Sequence, residues 1–480
     1  MSIKSKHICF HQVSPYIWVI GVFLALVSPY LLAQGMFMDG VIYAAVAKNL
    51  AHGIGDFWTL HFMNTHFNPF YEHPPLAIGL ESLFFKVFGD AFWVEKIYSV
   101  TTFFISAIII HKIWQKLKVL KLVEASASWI PLLFWVLFPL VSWAAVNNML
   151  ENTMMVFVLL SLLFLINDWV NPRSYFVIIA GIMLSFAFLS KGFVGLYLWS
   201  FFFWNWLIFR KFTFGQMIFK TLLLILFTCL PFVFLYLFYP YGFQSLVNYI
   251  NNQVVNSVSN VVTVANRFHI IKSLFEQIIL PLIVAVVFGV VSWIIHTRFS
   301  IKLWKFKSTV FFLMLGFSGV LPIMLSLKQS NFYILTTFPF FAISLALIVD
   351  KFPPISLNKT VQKIHGILSI VFLISALMLI VGNYGKFYRD EDKISDIKLI
   401  KSSIPKLKKI SLDKSIWQDW ALFGYAVRYA NFDFYRDSIP TQTYLLSEKD
   451  KPISIKSPIF EKLPINLMRY QLNKRVDVLD

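Results

Sequence analysis

Charge is scarce in this chain. Asp, Glu, Lys and Arg make up 14% of its 480 residues, whereas a soluble globular chain carries about a quarter. With 58% hydrophobic residues, an ordinary soluble domain is excluded. Cysteine is nearly absent: Cys9 falls in a terminal tail and Cys229 inside an apolar run, so nothing in the fold depends on a disulfide framework. Acids are the scarcer sign, 24 Asp and Glu against 42 Lys and Arg. Neither an internal repeat nor a low-complexity segment is visible, which weighs against transporters built from symmetric halves.

What the sequence has instead is apolar runs. Windows of about 16–22 residues, separated by short charged loops, recur along the chain and describe an α-helical polytopic membrane protein. Eleven spans are expected, beginning near Tyr16, Ile97, Trp129, Met149, Tyr175, Phe193, Phe219, Glu276, Val310, Phe332 and Ile364. The first follows "KSK" and resembles a signal peptide, but no small-residue cleavage pattern follows it and ten more spans do, so it reads as a signal anchor. With the N-terminus inside, clusters such as "HKIWQKLKVLK", "FRKF", "RFSIKLWKFK" and "LNKTVQK" fall in inner loops. Those loops hold roughly 17 basic residues against about three acids, and the outer loops roughly seven against eight. Most of the +18 net charge is therefore positive-inside signal rather than a nucleic-acid footprint, which would be a basic face on a folded domain.

Two regions break the pattern. From Lys386 to Asp480 the chain shows alternating stretches ("KKISLD", "NFDFYR", "TYLLSE", "PISI") and a helical candidate, "SIWQDWALFGYAVRYA". The expectation is a transmembrane domain over residues 1–384 and a small α/β domain over 385–480 on the outer face. The loop between the first two spans, about residues 35–95, is too long for a simple connection. "GVIYAAVAKNLAHG" and "PPLAIGLESLFFKVFG" have helical spacing with punctuation at their ends, and read as amphipathic helices along the membrane surface. Asp39 precedes the first; Glu72 and His73 precede the second. Taken alone, Asp39 is equally an acid favouring a helix start, and Glu72-His73 a polar loop end.

Their joint pattern is more specific. "MFMDGVIYAAVAKNLAHGIGDFW", followed about 30 residues after its Asp by "YEHPPLAIGL", resembles the membrane glycosyltransferases that use polyprenyl-phosphate-linked sugars, among them the lipid A aminoarabinose transferases and the protein O-mannosyltransferases. "NNMLENTMMVF", with Glu151 where that family more often has Asp, "LSFAFLSKGFVGLYL", with Lys191, and "SLKQSNFYILTTFPFFAISLA", with Lys328 and Tyr333, resemble its later motifs in the right order.

That resemblance implies a GT-C fold, a lipid-phosphate sugar donor and an inverting transfer to an acceptor hydroxyl or phosphate of a glycolipid, glycan or protein. It implies Asp39 as general base, and Lys191, Lys328 and Tyr333 around the donor phosphate. In the aminoarabinose transferases the acid equivalent to Glu72 helps hold a metal ion and the next position, a lysine there, lies near phosphate. Glu72 is thus either a metal ligand or a hydrogen-bond anchor, and His73 either a phosphate contact or a second ligand, one that titrates near neutrality. Arg267 and His269, in the polar loop after the seventh span, are candidates for phosphate and metal respectively, or a solvated loop pair. Glu151 is an acceptor-side or structural acid, and Lys191 is otherwise a lysine snorkelling at a helix end. One divalent ion is a possible cofactor. The 52 Phe and 15 Trp suffice to line a lipid groove, but would equally face bulk lipid.

All these candidates fall at outer helix ends or in outer loops of a topology drawn from charge alone. The expected setting is a bacterial inner membrane, N-terminus cytoplasmic and C-terminus periplasmic. A transporter or flippase of lipid-linked substrates and a non-enzymatic envelope assembly factor are the rivals. The first would place its site near the midplane on broken helices; the second would need no acid at Asp39.

Overall fold

The computed structural model describes residues 10–123, 127–255, 261–295, 306–350, 358–437, 439–453 and 459–476. Cys9, the "KSK" before the first span, most of "RFSIKLWKFK" and the second half of "PISI" lie outside the described residues. The helices are α1 (Phe10–Val27), α2 (Met38–Ala51), α3 (Leu76–Phe88), α4 (Val94–Val119), α5 (Trp129–Val136), α6 (Pro139–Val146), α7 (Leu150–Val170), α8 (Ser174–Lys191), α9 (Phe201–Phe209), α10 (Phe214–Phe238), α11 (Pro240–Tyr249), α12 (His269–Ile295), α13 (Phe306–Val320), α14 (Phe338–Val349), α15 (Lys359–Gly382), α16 (Glu391–Ser403) and α17 (Trp420–Ala430). The strands are β1 (Lys409–Leu412), β2 (Asp433–Tyr435), β3 (Tyr444–Glu448), β4 (Phe460–Lys462) and β5 (Tyr470–Arg475).

Each of the eleven expected spans meets an apolar helix. Among the described residues, eight are long and apolar enough to cross a membrane: α4, α7, α8, α10, α12, α13 extended to Leu325, the stretch Asn331–Val349 that ends in α14, and α15. The chain is a multi-pass integral membrane protein. The other three spans depart from a straight rod. The third is α5 and α6, bent by 76° where Pro139 opens α6, a residue that lacks an N–H and cannot continue a helix through its own position. The sixth, Phe193–Phe209, begins as a 3-10 helix over Phe193–Ser200. The first is short, with its apolar part at Val13–Val27.

The chain folds as two compact units: residues 1–31, 99–146 and 150–384 form one, and residues 32–98, 147–149 and 385–480 the other. In the helical unit α7 and α8 form an antiparallel hairpin, α10 lies against α8, and α1 against α15. Phe23, Phe103 and Trp135 stack in series in its core.

The second unit joins the first long loop to the C-terminal segment. Backbone bonds start it: Gln34 donates to the Lys386 carbonyl (2.7 Å), and Tyr388 donates to Gln34 (3.0 Å). Its sheet has the order β2-β1-β3-β5-β4; β1 is parallel to β2 and β3, and β5 antiparallel to β3 and β4. The alternating stretches "KKISLD", "NFDFYR" and "TYLLSE" are β1, β2 and β3, and the helical candidate is α17 after a short 3-10 turn. Helix α2 packs between α3 and α17, with Met36, Val41, Ile394 and Tyr425 in one apolar cluster. A Cβ on Gly424 would stand 2.8 Å from Val41, so glycine there permits the close approach of α17 to α2.

Candidate active site

Asp39, Glu72 and His73 belong to the unit built from the first loop and the C-terminal segment; Glu151, Lys191, Arg267, His269, Lys328 and Tyr333 belong to the helical unit. In the first of these, Asp39 is the second residue of α2, and the N-cap position is Phe37, which makes no side-chain cap. The carboxylate therefore stands in the first turn, where the unpaired amides and the helix dipole favour negative charge. Asp39, Glu72 and His73 are all half-buried. Tyr43 follows Asp39 by four residues, on the same face of the helix, and its hydroxyl lies 2.9 Å from His73 Nε2. One face of α2 thus carries the acid and, a turn later, the group that holds the imidazole.

Three residues with low sequence visibility fix the start of α2. The Asn147 side-chain oxygen accepts from the Phe37 amide at 2.6 Å. Asn148, in the left-handed region at φ 52° where Asn is tolerated, donates to the Gly40 carbonyl at 3.3 Å and to Glu81 Oε1 at 2.8 Å. Gly40 is indispensable to this arrangement: a Cβ would fall 2.0 Å from the Asn147 carbonyl oxygen. Burial, reinforced by the Glu95 carboxylate, pushes the Glu81 carboxyl well above the usual range, which favours its neutral form.

Behind α2 the same unit contains a buried charged lattice. Arg428 of α17 pairs with Glu95 (Nη2–Oε2 3.0 Å) with both side chains sealed from solvent, and donates to the carbonyls of Asp90 and Ala91. Lys48 of α2 donates to the carbonyls of Val427 and Arg428 and to Asn431 Oδ1. Burial and the nearby Arg428 charge pull its ammonium down to about 7.

In the helical unit, hairpin geometry brings Glu151 and Lys191 together. Glu151 lies in the first turn of α7 and Lys191 ends α8, so antiparallel packing sets both at one end of the pair. Acid at a helix start and cation at a helix end each suit the local dipole. Lys191 Nζ stands 2.7 Å from Glu151 Oε1, both buried, and lies over the rings of Phe332 (5.2 Å) and Tyr333 (5.8 Å). Gly192 then turns the chain at φ 101°, where a Cβ would meet the Tyr249 hydroxyl at 2.0 Å. That hydroxyl donates to the Lys191 carbonyl at 3.3 Å.

Arg267, His269 and Lys328 sit on two adjoining segments tied together by buried Gln329. Its side chain donates to the Arg267 carbonyl and accepts from the Ile270 amide. Lys328 Nζ donates to Gln253 Oε1 at 2.8 Å, and His269 Nε2 lies 3.0 Å from Asn331 Oδ1. Arg267 is exposed.

Two structures of ArnT from Cupriavidus metallidurans superpose over nearly the whole length of both chains. The apo form matches with a TM-score of 0.63 at 12% identity, covering 96% of this chain and 97% of that one. The form bound to undecaprenyl phosphate matches with 0.60 at 14%, covering 98% and 97%. This chain has the GT-C fold. Residues 72–235 also match the family model described as dolichyl-phosphate-mannose-protein mannosyltransferase. No curated protein matches by sequence.

Within this GT-C chain, a resident metal would need more than Glu72 and His269, and no group of three or more His, Cys, Asp or Glu side chains suited to one stands together among the described residues. The donor set does not fit a resident metal. Sequence reasoning missed Asn147, Asn148, Glu81, Lys48, Glu95 and Arg428. For Glu81 and Lys48 a signal existed: a lone charge flanked by apolar residues inside an amphipathic stretch. Arg428 and Glu95 are 333 residues apart, and no local spacing announces such a pair.

Proposed function

We propose that the chain is a glycosyltransferase of the bacterial inner membrane. It would move a sugar from a polyprenyl-phosphate donor, of the undecaprenyl-phosphate type, to an acceptor on the periplasmic face, with inversion. The observation that carries the reading is the near-complete superposition on ArnT, whose fold was solved with undecaprenyl phosphate bound. The acid that opens α2 and the family match from residue 72 support it. The Lys and Arg distribution supports a cytoplasmic N-terminus and a periplasmic C-terminal segment.

The chemistry is a displacement at the anomeric carbon. An acceptor hydroxyl oxygen forms the new bond, the bond from that carbon to the phosphate oxygen breaks with its electron pair, and the polyprenyl phosphate leaves as an anion. Asp39, half-buried at a helix start, takes the acceptor's proton. Its ionised form is favoured by the dipole of α2, and its placement by the Asn147, Asn148 and Gly40 junction. His73, in the same unit as Asp39, supplies a donor to the leaving phosphate, where preorganised positive charge lowers the barrier. In the helical unit, Glu151 is the residue that holds Lys191 in place. An acceptor phosphate, already ionised, would need no base at all.

The test is Asp39→Asn in membranes supplied with the lipid-linked donor and a hydroxyl acceptor. Transfer should fall by about 10²–10⁴-fold, the usual contribution of a general base, with expression and thermal stability unchanged. Wild-type transfer by the variant would refute the role.

A further inference from the structure

The helical unit holds an apolar slot of about 280 Å³ between α1, α4 and α5. Its floor is the stacked series of Phe23, Phe103 and Trp135. All three are buried, so the floor sets the shape and offers a ligand little surface. The mouth is what a ligand would meet. Tyr16, Phe104, Ala107 and His111 are half-buried there, and Ile20 and Ile108 are 39% and 56% exposed. An apolar cavity of about 150 Å³ is large enough for benzene, so this one admits a longer stretch of hydrocarbon. None of its lining residues belongs to the candidate active site.

One end of the slot is polar. Tyr16 meets His111 edge-on, with ring centroids 5.7 Å apart. Along α4, Phe104, Ile108, His111, Gln115 and Lys118 recur at steps of four, three, four and three residues, which keeps them on one face. Gln115 Nε2 lies 2.7 Å from His111 Nε2. Lys118 is exposed, as is Lys112, which follows Ile108 by one turn. This end of α4 falls in "HKIWQKLKVLK", a cluster that the Lys and Arg distribution assigns to the cytoplasmic side. The only acid of α4, Glu95, lies in its first turn, at the other end. From the bilayer toward the cytoplasm, α4 therefore presents a hydrocarbon slot, an imidazole with an amide, and two ammonium groups.

That is the order of parts in an anionic phospholipid. Basic groups just cytoplasmic of a spanning helix favour anionic headgroups by about five-fold per lysine, whereas a zwitterionic headgroup has no net charge to answer them. We propose that the slot seats one acyl chain of an anionic glycerophospholipid of the inner leaflet, with its phosphate at Lys112 and Lys118 and its ester region beside His111 and Gln115. A chain in this position touches α1, α4 and α5 at once, so the lipid braces the three helices. The site is separate from glycosyl transfer and stands whatever reaction the chain performs.

The experiment is native mass spectrometry of the purified full-length chain in detergent, titrated separately with dioleoyl phosphatidylglycerol, dioleoyl phosphatidylcholine and glycerol 3-phosphate. Phosphatidylglycerol should bind at least about ten-fold more tightly than phosphatidylcholine, as two lysines require, and glycerol 3-phosphate should not displace it. Ala107→Trp fills the slot and should weaken both lipids at least about ten-fold, because several methylenes lose their burial. Lys112→Gln/Lys118→Gln should weaken phosphatidylglycerol about twenty-fold and leave phosphatidylcholine unchanged. The control Leu222→Trp, on an exposed face of α10, should bind as wild type. Equal binding of the two lipids by the wild type would overturn the proposal, as would undiminished phosphatidylglycerol binding by a folded Ala107→Trp chain. If that variant fails to fold, the exposed lysine pair decides, and a lipid preference unchanged in Lys112→Gln/Lys118→Gln overturns the site.

Discussion

Arg428→Met should unfasten the unit that carries Asp39. The guanidinium is sealed from solvent, 3.0 Å from Glu95 Oε2, and its two terminal nitrogens also serve the carbonyls of Asp90 (3.1 Å) and Ala91 (2.7 Å). Its plane covers the rings of Phe85 and Tyr429. Glu95 Oε1 has no hydrogen-bond partner among the described residues, so Arg428 supplies the carboxylate's direct ion pair. Methionine replaces most of the packing and none of the charge, leaving a buried carboxylate uncompensated at a cost of about 3–5 kcal/mol. That corresponds to an opening equilibrium raised on the order of a hundred- to a few-thousand-fold. Hydrogen exchange on the purified full-length chain reads it directly, as faster exchange of α2, α3 and α17 amides. The double variant Arg428→Met/Glu95→Leu removes both charges and should recover most of the loss, because a buried pair is often replaceable by apolar groups of similar volume. If the single variant exchanges like wild type, or the double variant is as open as the single, the pair does not hold the unit and the reasoning fails.

Gly40→Ala should displace the start of α2, because the new methyl would overlap the Asn147 carbonyl; both transfer activity and the melting temperature should fall, and a fully active variant would show that α2 has room to move. Lys48 gives a pH dependence of known sign. Between about pH 7 in the folded chain and about 10.4 in the unfolded one, the unfolded chain binds the extra proton. Stability therefore rises with pH across that window and is lowest below it. The difference between wild type and Lys48→Met in hydrogen exchange at pH 7 and pH 9 isolates this slope, and no difference would contradict it. Glu81→Gln, a neutral isostere that keeps an acceptor for Asn148, should cost less than about 1 kcal/mol. Glu81→Lys buries a charge in the same place and should unfold the unit. Equal effects of the two would show that Glu81 is not held neutral.

The membrane architecture was legible because its signals are local. A run of apolar residues names a helix wherever it lies, and α2 and α3 announce themselves by spacing and by the glycines that end them. The bend between α5 and α6 was less visible, since Pro139 sits within an apolar run long enough to pass as one rod. Strand β4 was missed because it is three residues long with two charges, and β5 because its apolar alternation stops at Leu472 and gives way to Asn473, Lys474 and Arg475. What no local pattern discloses is partnership at a distance. Glu151 and Lys191 were legible as two separate motifs, and the 2.7 Å contact emerges only once α7 and α8 fold back on one another. The same holds for the first loop and the C-terminal segment, which form one compact unit although more than 280 residues of chain separate them.

The most direct measurement is mass spectrometry of lipid-linked sugars and envelope glycans from cells with and without the gene. Loss of the gene should leave a polyprenyl-phosphate sugar accumulated and one hexose or pentose missing from a glycolipid, polysaccharide or protein, with Asp39→Asn giving the same profile. An unchanged glycan profile in the absence of the gene would contradict glycosyl transfer as its activity.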